Sequence, residues 1–511
     1  MSTEKSPRWI SALLAASLLL ASCGSKVVNP VSGRAERSVM DEPTEIAEGA
    51  KAHQQVLAEY GVVDSPRLQA YVNDVGQRLA AQSHRANLKW TFTVLDSPEV
   101  NAFALPGGYV YITRGIMAFL DSEAELAGVV GHEIGHVTAR HGAQRATRQQ
   151  NAGLGVFAAT VLGVLLETQG VGGAAQAAAQ VGQGVAAGYV ATYSREQETQ
   201  ADQLGAEYLV RNRYDPQNMV DVIGVLKSQE RFAQDAAKAQ GRAAPTGGNW
   251  LASHPSNDKR LADIQQVAAG YANAPPAAGA TKPAYVDDGR VRYQAAIEGL
   301  NFGESRNQGV TRGPNFYHED LAIALTAPGG WRVQNAADAI TVVNTAGDAA
   351  LIIRTVPADA GTSHEEIIRS VLKPSDGRVE KRSLNGLPAS HFVGSRRDAQ
   401  GQTQALEATI VSGPGGRNYL LQYAAKDGAA RQRAGAGLMQ AEASLRPLSP
   451  SERSAARPWV LKMVPYPRGG FTELARGSPL PAPAEAQLRL INGMYGETAE
   501  PKVGLAVKVV Q

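Results

Sequence analysis

The pattern of apolar and polar positions divides the chain into regions of different texture. From residue 43 to about 272 the pattern predicts a mainly helical unit, interrupted by one pair of strands. Trp90-Thr91-Phe92-Thr93-Val94-Leu95 has strand composition, and so does Gly108-Tyr109-Val110-Tyr111-Ile112-Thr113, which follows a Pro106-Gly107-Gly108 turn. A helix is predicted to open at Ser122, where Ser122-Glu123-Ala124-Glu125 supplies an N-cap and early acidic residues. Residues 272 to 282, rich in Ala, Pro and Gly, read as linker. Beyond them Ala339-Ile340-Thr341-Val342-Val343 and Ala350-Leu351-Ile352-Ile353-Arg354 alternate with Gly-containing turns and a helical stretch near 364–372. The predicted architecture is multidomain. A mainly α domain with a small β-sheet (43–272) is followed by a linker (273–315), an α+β domain (316–447) and a small segment (448–511).

Lys+Arg number 50 and Asp+Glu 48, so no strong field exists to attract nucleic acid. The single cysteine, Cys23, rules out an internal disulfide framework and any thiolate-built zinc cluster. Lys5 and Arg8 precede an apolar run from Ile10 to Ala21, too short for a comfortable membrane span but suited to a secretory signal. Leu20-Ala21-Ser22-Cys23 resembles the bacterial lipoprotein processing box. The resemblance implies a signal peptide over 1–22, a lipid on Cys23, and a polar tether over 23–42. Gly24 after the cysteine points to an outer-membrane lipoprotein facing the periplasm. Residues 152–191, rich in Gly, Ala and Gln, are expected to form a packed hairpin of small-residue helices.

The chemistry concentrates in Gly131-His132-Glu133-Ile134-Gly135-His136. On a helix, residues four apart share a face, so both imidazoles project together. Two neutral nitrogens suit a zinc ion, and Glu133, about 100° round the helix, suits a general base for an attacking water. A hydrolytic zinc site takes three protein ligands. With the cysteine committed elsewhere, the third is His, Glu or Asp.

Ser194-Arg195-Glu196-Gln197-Glu198-Thr199-Gln200-Ala201-Asp202 resembles the Ser-Arg-x-x-Glu-x-x-Ala-Asp element of the HtpX, BepA and CAAX prenyl protease family of zinc endopeptidases. The resemblance implies Glu198 as third ligand, with one zinc per chain. It also implies that Asp202 holds a ligand histidine in its tautomer. Val100-Asn101-Ala102-Phe103-Ala104-Leu105-Pro106-Gly107-Gly108 is similar to the family's active-site strand, whose edge would pair with an extended substrate. Asn101, Ala102, Phe103 and Ala104 are thus the expected substrate-binding residues. Ser253-His254-Pro255-Ser256, followed by Lys259-Arg260, resembles the family's downstream His-Pro segment. That resemblance implies that His254 approaches the metal, blocking it at rest or steadying the oxyanion during turnover. His141 is read as structural, and His53, His84, His318, His364 and His391 as surface residues.

In the carboxy-terminal half, Asn315-Phe316-Tyr317-His318-Glu319-Asp320-Leu321 with Ala327-Pro328-Gly329-Gly330-Trp331 is loosely similar to the opening of PsbP-like domains. The last segment resembles a degenerate LysM module, with Arg468-Gly469-Gly470-Phe471-Thr472 where Gly-Asp-Thr is usual. A working LysM module would contact peptidoglycan. The leading expectation is an endopeptidase acting on misfolded proteins of the bacterial envelope. A zinc-bound chaperone or assembly scaffold is the alternative, and a zinc amidase on peptidoglycan a third.

Overall fold

A computed structural model describes residues 25–38, 40–145, 193–239, 254, 258–273, 284–336, 339–397 and 401–511. The signal-like segment with Cys23, the small-residue stretch 152–191, most of the Pro/Ala/Gly linker and the Pro255-Ser256 pair lie outside these residues. Among the described residues no helix is long and apolar enough to cross a membrane.

The amino-terminal region is helix-rich. A short antiparallel hairpin, β1 (Ser25–Val28) and β2 (Ala35–Ser38), leads into helices α1 (Glu42–Tyr60) and α2 (Pro66–Ala81). Both helices start the way their sequences dictate, with Asp41 and Ser65 accepting a backbone N–H three residues on and proline in the first turn. A three-stranded sheet follows, of β3 (Thr91–Leu95), β4 (Ala102–Leu105) and β5 (Tyr109–Thr113) in the order β3-β5-β4. β5 runs parallel to β3 and antiparallel to β4. The short helix α3 (Arg114–Met117) precedes α4 (Glu123–Thr138), capped by Ser122 Oγ on the Glu125 N–H at 3.1 Å. α5 (Arg195–Arg211), α6 (Gln217–Ala239) and α7 (Asp258–Asn273) complete the layer around α4.

Every residue of α4 is buried, although the helix carries two histidines and three glutamates. Burial on this scale needs neighbours that come close, and glycine provides the room. A Cβ on Gly135 would lie 2.9 Å from the Ala201 carbonyl, and one on Gly205 would lie 3.1 Å from the His132 nitrogen. α4 and α5 therefore pack backbone to backbone, which carries Glu198 and Asp202 to the histidines.

The carboxy-terminal region is large and β-rich. A seven-stranded antiparallel sheet runs in the order Trp331–Asn335, Ile340–Asn344, Ala349–Thr355, Asn418–Ala425, Thr403–Ser412, Leu387–Arg397 and Asp376–Leu384. The helix Gly428–Ala443 packs on it, burying Leu438 and Ala441 against Leu351 and Leu421. A four-stranded sheet lies beside it, and a third sheet pairs Trp459–Pro465 with Ala506–Val510 and with Asn301–Phe302.

Two sequence expectations change here. Within 273–315, read as linker, residues Arg290–Ile297 form a helix whose Tyr293 and Ile297 sit in the same core as the α4 residues. Leu461, Phe471, Leu488, Val509 and Val510 of the last segment belong to that core as well. Lys508, 1% exposed, donates to the carbonyls of Ala118 and Leu120 and pairs with Asp121 at 2.7 Å, just ahead of α4. Those carbonyls and Asp121 compensate the charge of a lysine that is otherwise costly to bury. His318 and His391, expected at the surface, are buried, because each ring is bonded: His318 Nδ1 accepts the Leu321 N–H and His391 meets Thr409 Oγ1 at 2.9 Å. His53, His84 and His364 are likewise bonded, to Tyr111, to Tyr208, and to Ser390 with Ser412.

Candidate metal centre

His132, His136, Glu198 and His254 converge, each offering one ligand atom, with all four atoms within 4.8 Å of one another. All four residues are buried. His132 Nε2 and His136 Nε2 are 3.0 Å apart, as expected for residues four apart on one helix. Glu198 Oε2 lies 3.6 Å from His132 Nε2 and its Oε1 lies 3.5 Å from His136 Nε2. His254 enters with Nδ1, 3.2 Å from His132 Nε2 and 3.0 Å from Glu198 Oε1. Donors bound to one tetrahedral zinc at about 2.0–2.1 Å stand about 3.3 Å from each other. The observed spacings bracket that value, and imidazole nitrogen with carboxylate oxygen is a zinc donor set, so the residues fit the ion.

Glu133 is fully buried beside the cluster, its Oε1 3.6 Å from His254 Nε2. It follows His132 directly, so its side chain leaves the helix off the ligand face, near the donors without joining them.

The supports are largely charged. His132 Nδ1 meets Asp202 Oδ1 at 2.9 Å, which leaves Nε2 free of hydrogen for a metal. Arg260, on the first turn of α7, donates from Nε and Nη2 to Asp202 at 2.7 and 2.8 Å. Its Nη1 lies 2.8 Å from Glu198 Oε2 and donates to the His254 carbonyl at 3.0 Å. Burial alone would raise the Asp202 and Glu198 carboxyls. The charge of Arg260 on Asp202, and of His254 and Arg260 on Glu198, wins and holds both below the ordinary range. Burial first, and then the crowding of His132, His141, His254 and the Arg260 cation, which disfavours a positive charge on the ring, holds His136 well below its usual value and therefore neutral. His136 also stacks on Tyr193, with ring centroids 3.8 Å apart.

The expected site residues thus fall into two places. His132, Glu133, His136, Glu198, Asp202 and His254 come together. Asn101 to Ala104 lie at β4, the last strand of its sheet, which packs against α4 and has no strand partner on its outer side among the described residues. Asn101, Ala102, Phe103 and Ala104 are buried, backbone included. Arg260, Tyr193, His141 and Gln200 join the site without having been singled out for it. His141, read as structural, lies 2.8 Å from His136, Nδ1 to Nδ1.

Comparison with known proteins agrees with this geometry. Residues 66–268 match the model of peptidase family M48. The chain is 28% identical over 243 residues to the beta-barrel assembly-enhancing protease of Yersinia pestis, covering 47% of each chain. It is 30% identical over 242 residues to the mitochondrial metalloendopeptidase OMA1 of Schizosaccharomyces pombe, covering 46% of this chain and 65% of that one. The chain spans about half the length of the curated bacterial relatives it matches. A solved structure of cyanobacterial PsbP from Synechocystis is similar to 27% of this chain and 98% of its own, at 13% identity and a TM-score of 0.19, too low to carry an argument on fold. Residues 66–268 accordingly carry a peptidase family M48 domain, and the relatives that match over this region are named as a protease and a metalloendopeptidase.

Proposed function

We propose that the chain is a zinc-dependent endopeptidase of the bacterial cell envelope, anchored by a lipid on Cys23 and acting on misfolded or misassembled outer-membrane and periplasmic proteins. The observation that carries the reading is Glu133, a buried carboxylate next to the His132–His136–Glu198–His254 donor set. A purely structural zinc site has no use for it. When bound, zinc supplies a Lewis acid that polarises the scissile carbonyl and makes water acidic. Glu133 takes the proton from the attacking water and returns it to the leaving amine. β4, the last strand of its sheet, would pair with an extended substrate through Asn101 to Ala104 once its outer side is uncovered. The envelope substrate class is supported by the name of the bacterial relatives and by the lipoprotein-like sequence around Cys23.

The position of His254 favours a resting state in which catalysis is held back. Its Nδ1 stands among the donor atoms, in the place an open catalytic site leaves for water or substrate. A zinc-bound scaffold for envelope assembly would keep His254 there permanently, whereas a latched peptidase releases it. The last segment has the order strand, helix, helix, strand, which supports a LysM-like reading of 448–511 and a contact with peptidoglycan. Co-sedimentation with purified sacculi tests that contact.

The test of the main reading is cleavage of casein by lipid-free residues 24–511, with and without chelator, beside Glu133→Gln. Chelator-sensitive cleavage that the variant lacks supports the peptidase. Zinc uptake without any cleavage, even after His254→Ala, supports the scaffold.

A further inference from the structure

The amino-terminal hairpin reaches the metal cluster through a chain of hydrogen bonds whose direction is set at its far end. The turn between β1 and β2 is closed by Asn29 N–H on the Arg34 carbonyl and Gly33 N–H on the Asn29 carbonyl, both at 2.9 Å. Asn29 is 2% exposed, and its side-chain oxygen accepts the N–H groups of Val31 and Ser32 at 2.9 and 3.1 Å. With the oxygen held by two backbone donors, the amide cannot turn round. Its Nδ2 therefore points the other way, donating to Gln200 Oε1 at 3.0 Å.

A donor arriving from Asn29 requires an oxygen from Gln200 at that point, which fixes the second amide too. The same Oε1 is 3.1 Å from His141 Nε2, so that nitrogen carries the hydrogen. His141 Nδ1 is then a lone pair. It lies 2.8 Å from His136 Nδ1, which must donate to it. His136 Nε2 is left as a lone pair facing the cluster, 3.0 Å from His132 Nε2. Each step follows from the donor and acceptor inventory of neutral amide and imidazole.

We propose that His141, Gln200 and Asn29 are positioning residues that hold His136 in its Nδ1–H tautomer and orientation. On this account the hairpin of residues 25–38 is part of what sets metal affinity, although it lies before the family domain that begins at residue 66. The inference rests on the reading of the cluster as a zinc site. The two ligand histidines are then supported by unlike means. His132 leans on the Asp202 carboxylate, itself ion-paired with Arg260, and His136 on an uncharged relay that ends in a backbone turn.

The test measures zinc affinity of the full mature chain by competition with a chromophoric chelator. The visible absorption of the cobalt(II) form serves as a second readout, sensitive to ligand geometry. Gln200→Leu and Asn29→Ala are expected to weaken zinc about 10–100-fold, as loss of such outer support does, and to shift the cobalt spectrum. Gln200→Glu, which still accepts from both donors, should bind zinc as the wild type does. Asn29→Ala keeps the test open should Gln200→Leu fail to fold. Wild-type affinity in both loss variants, or equal weakening by Gln200→Glu and Gln200→Leu, would overturn the relay alone. A folded wild type that takes up no zinc would overturn the metal reading and the relay with it.

Discussion

Arg260 grips Asp202 with two guanidinium nitrogens, Nε at 2.7 Å and Nη2 at 2.8 Å, while its third nitrogen faces Glu198 and the His254 carbonyl. One arginine thus faces two buried carboxylates and ties α7 to α5. Arg260→Met leaves both carboxylates without their cation. Urea unfolding of the metal-free protein should show a loss of about 3–5 kcal/mol, the range for breaking a buried ion pair by removing one partner. Arg260→Lys should recover little of it, because a point charge cannot match the planar fork.

Glu133→Gln keeps the shape of the side chain and removes the base. Zinc content and melting temperature should match the wild type while turnover falls by about 10²–10⁴-fold, the usual contribution of a general base. A variant that still cleaves at the wild-type rate would remove Glu133 from the mechanism.

His254→Ala takes away the fourth donor. If His254 is a latch, casein cleavage rises by about tenfold, corresponding to roughly 1.4 kcal/mol of lost competition for the open position. A fall in cleavage, with zinc content unchanged, would instead give His254 the oxyanion role.

Glu125 sits in the first turn of α4 with its carboxyl pushed up to about 7, chiefly by burial and then by the charge of Asp121, against the opposing pull of Lys508 and Arg290. Its folded pKa is above its ordinary 4.5, so the stabilisation from its proton is complete below about 4.5 and is lost as pH rises through about 7. Glu125→Gln should flatten the dependence of melting temperature on pH between about 5 and 8. It should also gain on the order of 1 kcal/mol over the wild type at the alkaline end.

The last segment is built into the peptidase core, with Val509 and Val510 beside Leu120 and Lys508 bonded to the Ala118 and Leu120 carbonyls. Deleting residues 457–511 uncovers that core. The shortened chain should melt lower by about 10 °C or more, or fail to fold, by differential scanning calorimetry. An unchanged melting temperature would make the segment an independent module.

What was legible in the sequence is what local chemistry dictates. The spacing of His132 and His136 and the Ser122 cap each act within a few residues, so the helix that carries both histidines was readable from its own letters. Glu198 and Asp202 entered by resemblance, and Gly135 and Gly205 give the physical reason why their helix can come so close. The relay from His136 to Asn29 was not legible, because its links from His141 to Gln200 and from Gln200 to Asn29 join residues far apart in the chain and an asparagine in a turn looks like any other. Arg260 stands six residues after His254 in the same segment, and its role emerges only once the carboxylates it contacts are placed. Helix 290–297 was hidden by its shortness, since eight residues with Arg290 and Arg292 in the first turn give too little periodicity to outweigh a linker reading.

The central claim is the metal, and the most direct measurement is the zinc-to-protein ratio of purified mature chain by inductively coupled plasma mass spectrometry. The account predicts one zinc per chain in the wild type and in Glu133→Gln, and far less than one when His136 and Glu198 are both changed to alanine. A folded wild-type chain without zinc would contradict it.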